Sequence, residues 1–106
     1  MRPKRLFIIG SLSQENEIFN MYKKIDKEKH DVRYVKKQPE KSFQALVHEA
    51  YANIEWADIV IVLCKPDGSI GKGTTYEIEF AMYMRKVIHL CRDADVDLKI
   101  KEVYYV

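Results

Sequence analysis

Two hydrophobic periods alternate along this chain. Leu6 to Ile9 is an apolar run closed by Gly10, and it predicts a short buried strand. Ser11 or Ser13 can cap the next element, with Ser11 and Gln14 spaced as a capping box. Ile18, Met21, Tyr22 and Ile25 then recur at helical spacing and predict a helix reaching about Lys29. Asp31 to Val35 alternates as an edge strand does, Gln38-Pro39 breaks the chain, and Ser42 starts a second helix. On that helix Phe43, Leu46, Val47, Ala50, Tyr51 and Ile54 make one broad apolar stripe ending near Trp56.

Asp58 to Cys64 is the most apolar run in the chain, a β-branched stretch of the kind buried on both faces of a parallel sheet. Three of the four glycines follow it, at Gly68, Gly71 and Gly73. A third helix is then expected to start at Thr74, which with Glu77 forms a second capping box. Glu77, Phe80, Ala81 and Met84 share one face of it, so the carboxylate lies in line with an apolar stripe. Lys86 to Cys91 reads as a fourth strand, Asp93 to Asp97 as an acidic turn, and Lys101 to Val106 as a fifth strand of undetermined pairing. Strands alternating with helices predict an α/β fold, a flavodoxin-like or Rossmann-like three-layer sandwich around a parallel sheet of four or five strands.

Composition narrows the reading. A length of 106 residues, 47% hydrophobic and 32% charged, suits one domain spanning residues 1–106. Eighteen basic residues against sixteen acidic ones leave a formal charge of +2, which argues against nucleic acid as the main partner. The Lys-rich segment from Lys23 to Lys41 is interleaved with acids and reads as a solvated face. Cys64 and Cys91 end apolar runs without metal or redox spacing, as expected of buried thiols in a reducing cytosol. The apolar run behind the basic Met1 to Arg5 is too short for a signal peptide or membrane span, so a cytoplasmic location is expected. His30, His48 and His89 are scattered and lack metal-ligand spacing, and no metal or cofactor is implied.

The candidate chemistry sits where a strand, a glycine loop and a helix start follow one another. In open parallel sheets, ligands bind outside the carboxyl ends of the strands, where neighbouring crossovers diverge. The loops after strands one and three meet there: Gly10 to Ser13, and Lys65 to Thr75. Gly71-Lys72-Gly73-Thr74 matches neither common phosphate fingerprint, since Pro66 occupies the first glycine position of a Walker A motif and no third glycine completes Gly-x-Gly-x-x-Gly. Backbone N–H groups at the helix start, the Thr74 and Thr75 hydroxyls and the Lys72 ammonium can nevertheless hold an anion or a sugar phosphate. Gly10 and Ser11 permit close approach of a ligand, although a glycine after a strand also serves a turn. Asp67, in Pro66-Asp67-Gly68, either holds a ligand hydroxyl or builds a routine turn. Glu77 itself would serve equally as a plain helix-start acid.

The pieces Ala57-Asp58, Gly71-Lys72-Gly73-Thr74, Tyr76-Glu77-Ile78-Glu79-Phe80-Ala81 and Arg85-Lys86-Val87-Ile88, with the opening Leu6 to Ser13, resemble the nucleoside 2-deoxyribosyltransferase family. The resemblance implies a flavodoxin-like fold, a small-molecule nucleoside or nucleotide as ligand, and assembly into a homo-oligomer, a dimer or larger. It also implies that Glu77 is a nucleophile attacking the anomeric carbon and holding the sugar as an ester, which divides one displacement into two. Asp58 matches an aspartate the family keeps at the start of the same strand and is the candidate for the second catalytic group. The plain alternative for Asp58 is an acid closing the preceding helix, at the wrong edge of the sheet for chemistry at the carboxyl ends.

Three functions compete on these residues. The first is cleavage or transfer at the N-glycosidic bond of a (deoxy)ribonucleoside or its 5′-monophosphate. The second is a phosphoribohydrolase of the cytokinin-activating type, whose motif also runs Gly-x-Gly-Thr-x-x-Glu. The third is a nucleotide-binding or sensor module without catalysis, for which Gly71 and Glu79 stand where the resembled family often has an acid and a glycine.

Overall fold

β1 (Lys4–Gly10) and β3 (Ile59–Leu63) are the most deeply buried strands, with four buried residues each, and lie side by side at the centre of the sheet. The structure, a computed structural model, describes residues 4–36, 40–91 and 101–102. The elements run β1, a 3-10 turn at Leu12–Gln14, α1 (Glu15–Lys24), β2 (His30–Tyr34), α2 (Phe43–Trp56), β3, α3 (Lys72–Tyr83), β4 (Val87–Cys91) and β5 (Lys101–Glu102). The sheet order is β2-β1-β3-β4-β5. Its first four strands are parallel, which is the flavodoxin-like order expected of right-handed crossovers. β5 departs from an all-parallel sheet by pairing antiparallel with β4. The expected break at Gln38-Pro39, the expected acidic turn from Asp93 to Asp97 and the part of the expected fifth strand beyond Glu102 lie outside the described residues.

The strand pleat sends alternate residues into two cores. Phe7, Ile9, Val60, Val62 and Ile88 face α2 and α3, where Ala50, Ile54 and Ala81 meet them. Leu6, Ile8, Ile61, Leu63 and Cys91 face α1, which contributes Ile18 and Met21, with Ile25 just beyond its end. Three layers result, and both cysteines are buried within them. Tyr51 of α2 stacks on Phe80 of α3 at 4.2 Å between ring centroids, so the two helices on one face also pack on each other.

The helix boundaries show which local signals prevail. Ser42 caps α2 as expected, its hydroxyl accepting the Ala45 N–H at 3.1 Å. α1 ends at Lys24 rather than near Lys29, because the Lys27 ammonium binds the Tyr22 and Ile25 carbonyls and the Asp26 carbonyl accepts the N–H groups of Lys29 and His30. Neither expected capping box forms. Gln14 turns its side chain inward, and α3 starts at Lys72 with Gly71 as N-cap, which leaves Thr74 buried in the first turn and Glu77 in the second.

α3 closes with two reverse hydrogen bonds, Arg85 N–H to the Met82 carbonyl and Lys86 N–H to the Ala81 carbonyl, the pattern of a Schellman motif. Arg85 therefore occupies the left-handed position at φ 57°, where glycine is ordinarily favoured. Arg85→Gly is expected to raise stability by about 0.5–1 kcal/mol, the relief of left-handed strain exceeding the added freedom of the unfolded chain. Urea unfolding should show a higher midpoint at unchanged slope.

Candidate active site

β1 crosses to β2 in one direction and β3 crosses to β4 in the other, so their carboxyl ends frame the point of divergence where open sheets bind ligands. Gly10 ends β1 there. A Cβ on it would lie 3.1 Å from Ile18 Cδ1 and 3.3 Å from the Leu63 carbonyl, so this glycine is required by the packing of β1 against β3 and α1. Beyond it, the Ser11 and Ser13 hydroxyls are 2.9 Å apart on the exposed surface. A Cβ built on Gly71 would lie 3.7 Å from Ser11 Cβ, which brings the first loop against the start of α3.

Gln14 joins these loops, and its sequence position gave no sign of it. Its Nε2 donates to the Cys64 carbonyl at 3.0 Å, and the side chain is only 7% exposed. Cys64 in turn donates its N–H to the Cys91 carbonyl at 2.7 Å. The first loop, the end of β3 and the end of β4 are thus linked in series. A glutamine three residues after a serine reads locally as a capping residue, and nothing local records a partner fifty positions away.

The glycine loop is largely self-contained. Asp67 Oδ1 accepts the Ser69 N–H at 2.9 Å and the Ser69 hydroxyl at 2.6 Å, and these bonds hold its carboxyl below the usual range. Gly68 takes φ 85°, which completes the turn that returns the Ser69 carbonyl to the Lys65 N–H. Of the two uses open to Asp67, the turn is the one its bonds build.

No side chain caps α3, so the N–H groups of Lys72, Gly73 and Thr74 point out of its first turn without a capping partner. Thr75 bonds back to the Gly71 carbonyl through both its N–H and its hydroxyl, at 3.0 Å each. Lys72 is exposed, and a Cβ on Gly73 would meet nothing within 4 Å. Gly73 is therefore not demanded by packing.

Thr74, Glu77 and Ala81 descend the inner side of α3. Thr74 and Ala81 are buried and Glu77 is half-buried between them. Its carboxyl has no hydrogen-bond or ion-pair partner among the described residues, and burial alone raises its pKa from 4.5 to about 7. A carboxyl withdrawn from water without a cation to compensate is perturbed in the same way as many active-site acids.

Asp58 is not brought to this group. It stands at the amino end of β3, about 15 Å of strand from the glycine loop. There Arg5 donates its backbone N–H at 2.9 Å and its guanidinium at 3.2 Å, returning the carbonyl to the Asp58 N–H at 2.8 Å. These bonds lower the Asp58 pKa, with the Arg5 side chain the first cause. The structure thus places Asp58 at the edge of the sheet opposite the glycine loop, as its position at the start of the strand implied, and there it ties β1 to β3. Among the described residues no group of His, Cys, Asp and Glu could hold a metal ion, and no helix is long and apolar enough to cross a membrane.

No protein-family model matches the sequence, and no curated protein matches it. Solved structures do match. The CMP N-glycosidase BcmB of Clostridium botulinum is 24% identical with a TM-score of 0.60, over 82% of this chain and 70% of that one. A 2-deoxyribosyltransferase from Leishmania mexicana is 19% identical with a TM-score of 0.63, over 83% of this chain and 63% of that one. At this identity the likeness shows the fold.

Proposed function

We propose that this chain acts on the N-glycosidic bond of a nucleoside or its 5′-monophosphate, with Glu77 as nucleophile. The observation that carries the reading is the Glu77 carboxyl, half-buried, without a hydrogen-bond or ion-pair partner among the described residues, and raised to about 7 on the inner side of the helix that starts against Ser11. The likeness in fold to an N-glycosidase and a deoxyribosyltransferase supports it.

Ionised Glu77 attacks C1′ of the sugar. The Oε–C1′ bond forms as the C1′–N bond breaks, the electron pair leaves with the base, and the base takes a proton from solvent. Water then cleaves the ester to release the sugar, or a second base attacks C1′ and a new nucleoside leaves. The route needs no metal or cofactor.

The other end of the substrate belongs at the start of α3. Glu77 lies about 9 Å along the helix from Gly71, and its side chain leans back toward that end, which suits the span of a sugar phosphate. The uncapped N–H groups of residues 72–74 and the Lys72 ammonium favour a 5′-phosphate over a 5′-hydroxyl. Gly73→Ala separates this role from folding. With open space around its Cβ, the variant should be more stable by about 0.5–1 kcal/mol, yet show a KM raised about tenfold or more for 5′-monophosphates where the phosphate approaches the bare backbone.

The reading is tested by chromatography of the protein with deoxyribonucleosides, ribonucleosides and their monophosphates, each with and without a second base, beside Glu77→Ala. New nucleoside formed only by the natural protein means transfer, and released base alone means hydrolysis. A folded protein that turns over none of them defeats the proposal, and saturable nucleotide binding in that case would assign the chain to the non-catalytic class.

A further inference from the structure

We propose that the open edge of β2 is a self-pairing surface through which two copies of this chain form a two-fold dimer with one continuous sheet. β2 ends the sheet order and pairs with β1 on one side only among the described residues. Its sequence, His30-Asp31-Val32-Arg33-Tyr34, contains neither the lysine nor the proline that commonly blocks an exposed edge.

The charge pattern is self-complementary. In an antiparallel pair of β2 strands with Val32 on the two-fold axis, Asp31 of each copy lies opposite Arg33 of the other, and His30 opposite Tyr34. Directly opposed residues project to the same face, so two opposite-charge pairs form on the α2 side of the sheet. Moving the axis to Asp31 or to Arg33 sets like charges against each other, so the register is specified as well as the pairing. Both residues are exposed, and Asp31 has no hydrogen-bond or ion-pair partner among the described residues.

Arg33 is already held for this contact. Its guanidinium lies 3.9 Å from the Trp56 ring centre and donates to Asn53 Oδ1 at 3.2 Å, which fixes the side chain and leaves further donors for a carboxylate. A groove of about 280 Å³ runs at the same edge, lined by Tyr22, Val32, Arg33, Tyr34, Glu49 and Asn53. These residues come from α1, β2 and α2, that is, from both faces of the sheet. An added strand offers side chains to both faces in alternation, as in strand-addition complexes. On the α1 side Tyr34 packs with Tyr22 at 4.9 Å and with Phe19 at 6.1 Å, and Phe19 remains 42% exposed, an aromatic margin for the partner to cover.

Sedimentation velocity of the full chain and its charge-exchange variants tests this, with circular dichroism to establish that each variant is folded. The natural protein should show a concentration-dependent monomer–dimer equilibrium. Asp31→Arg and Arg33→Asp should each weaken it by at least about tenfold, because each opposes like charges twice. Mixing the two variants should restore dimer with one of the two opposite-charge pairs reversed in sense and the other as in the natural protein: the guanidinium introduced at position 31 of one chain faces the carboxylate introduced at position 33 of the other. The double exchange in one chain should restore the dimer too. A natural protein that stays monomeric to about 0.5 mM, or a dimer unchanged by either single exchange, overturns the proposal.

Discussion

Glu77→Gln is expected to abolish turnover while leaving nucleotide binding largely intact. Glutamine keeps the shape and one hydrogen-bonding oxygen, but it cannot form the ester that carries the sugar between the two half-reactions. The expected loss in kcat is at least about a thousandfold, roughly 4 kcal/mol of transition-state stabilisation. A loss below about tenfold would show that Glu77 does not attack the sugar. The pH profile of the natural enzyme supplies an independent reading. Only ionised Glu77 is a nucleophile, so kcat/KM should rise with pH through about 7, the pKa to which burial has moved it, and then level off.

The same burial costs stability, and that cost is the second large effect. In the unfolded chain Glu77 releases its proton near 4.5, whereas in the folded chain it keeps it until about 7. Between those values the folded state binds more protons, so this contribution is fully favourable below about 4.5, declines as pH rises to about 7, and is constant above it. The size is about 3 kcal/mol across the window, and residual exposure of the carboxyl makes this an upper figure. Glu77→Gln removes the titration. It should therefore be more stable than the natural protein by up to about 3 kcal/mol at pH 8, with the gap closing toward pH 5. Urea titrations at several pH values read this directly. A gap that does not change with pH would mean that Glu77 titrates as an ordinary surface acid.

Together these effects describe a group held at a thermodynamic disadvantage. A carboxyl on an inner helix face would ordinarily be replaced by an apolar residue or paired with a cation, and among the described residues Glu77 has no such partner. Such sites are where stability and activity oppose each other, and substitutions that relieve them commonly stabilise the protein at the expense of function. Gly73 shows the same opposition on a smaller scale, since alanine would suit the helix and fill space that a ligand can use.

The sheet and its layers were legible because periodicity reports burial. Leu6 to Ile9 and Ile59 to Leu63 are continuous apolar runs because both faces of β1 and β3 are covered, and the spacing of Ile18, Met21 and Ile25 names the side of α1 that covers one of them. The strand–loop–helix series then located the two loops that meet beside Gly71 and Ser11. Local capping patterns were less informative. Thr74 and Glu77 have the spacing of a capping box, but Gly71 serves as N-cap three residues earlier, and Thr74 is drawn into the packing. Long-range partners left no local trace: the Gln14 bond to the Cys64 carbonyl and the Arg5 hold on Asp58 each join residues some fifty positions apart. The antiparallel pairing of β5 with β4 was likewise beyond reach, because alternation along a strand reports which face is buried and not the direction of its neighbour.

The most direct measurement of the central claim is intact-mass and peptide mass spectrometry of the protein quenched during turnover of a nucleotide whose sugar slows the second step. The account predicts a mass increase equal to the sugar or sugar phosphate, located by fragmentation on Glu77 and missing in Glu77→Gln. Turnover with no adduct under conditions that trap the ester, or an adduct on another residue, would contradict it.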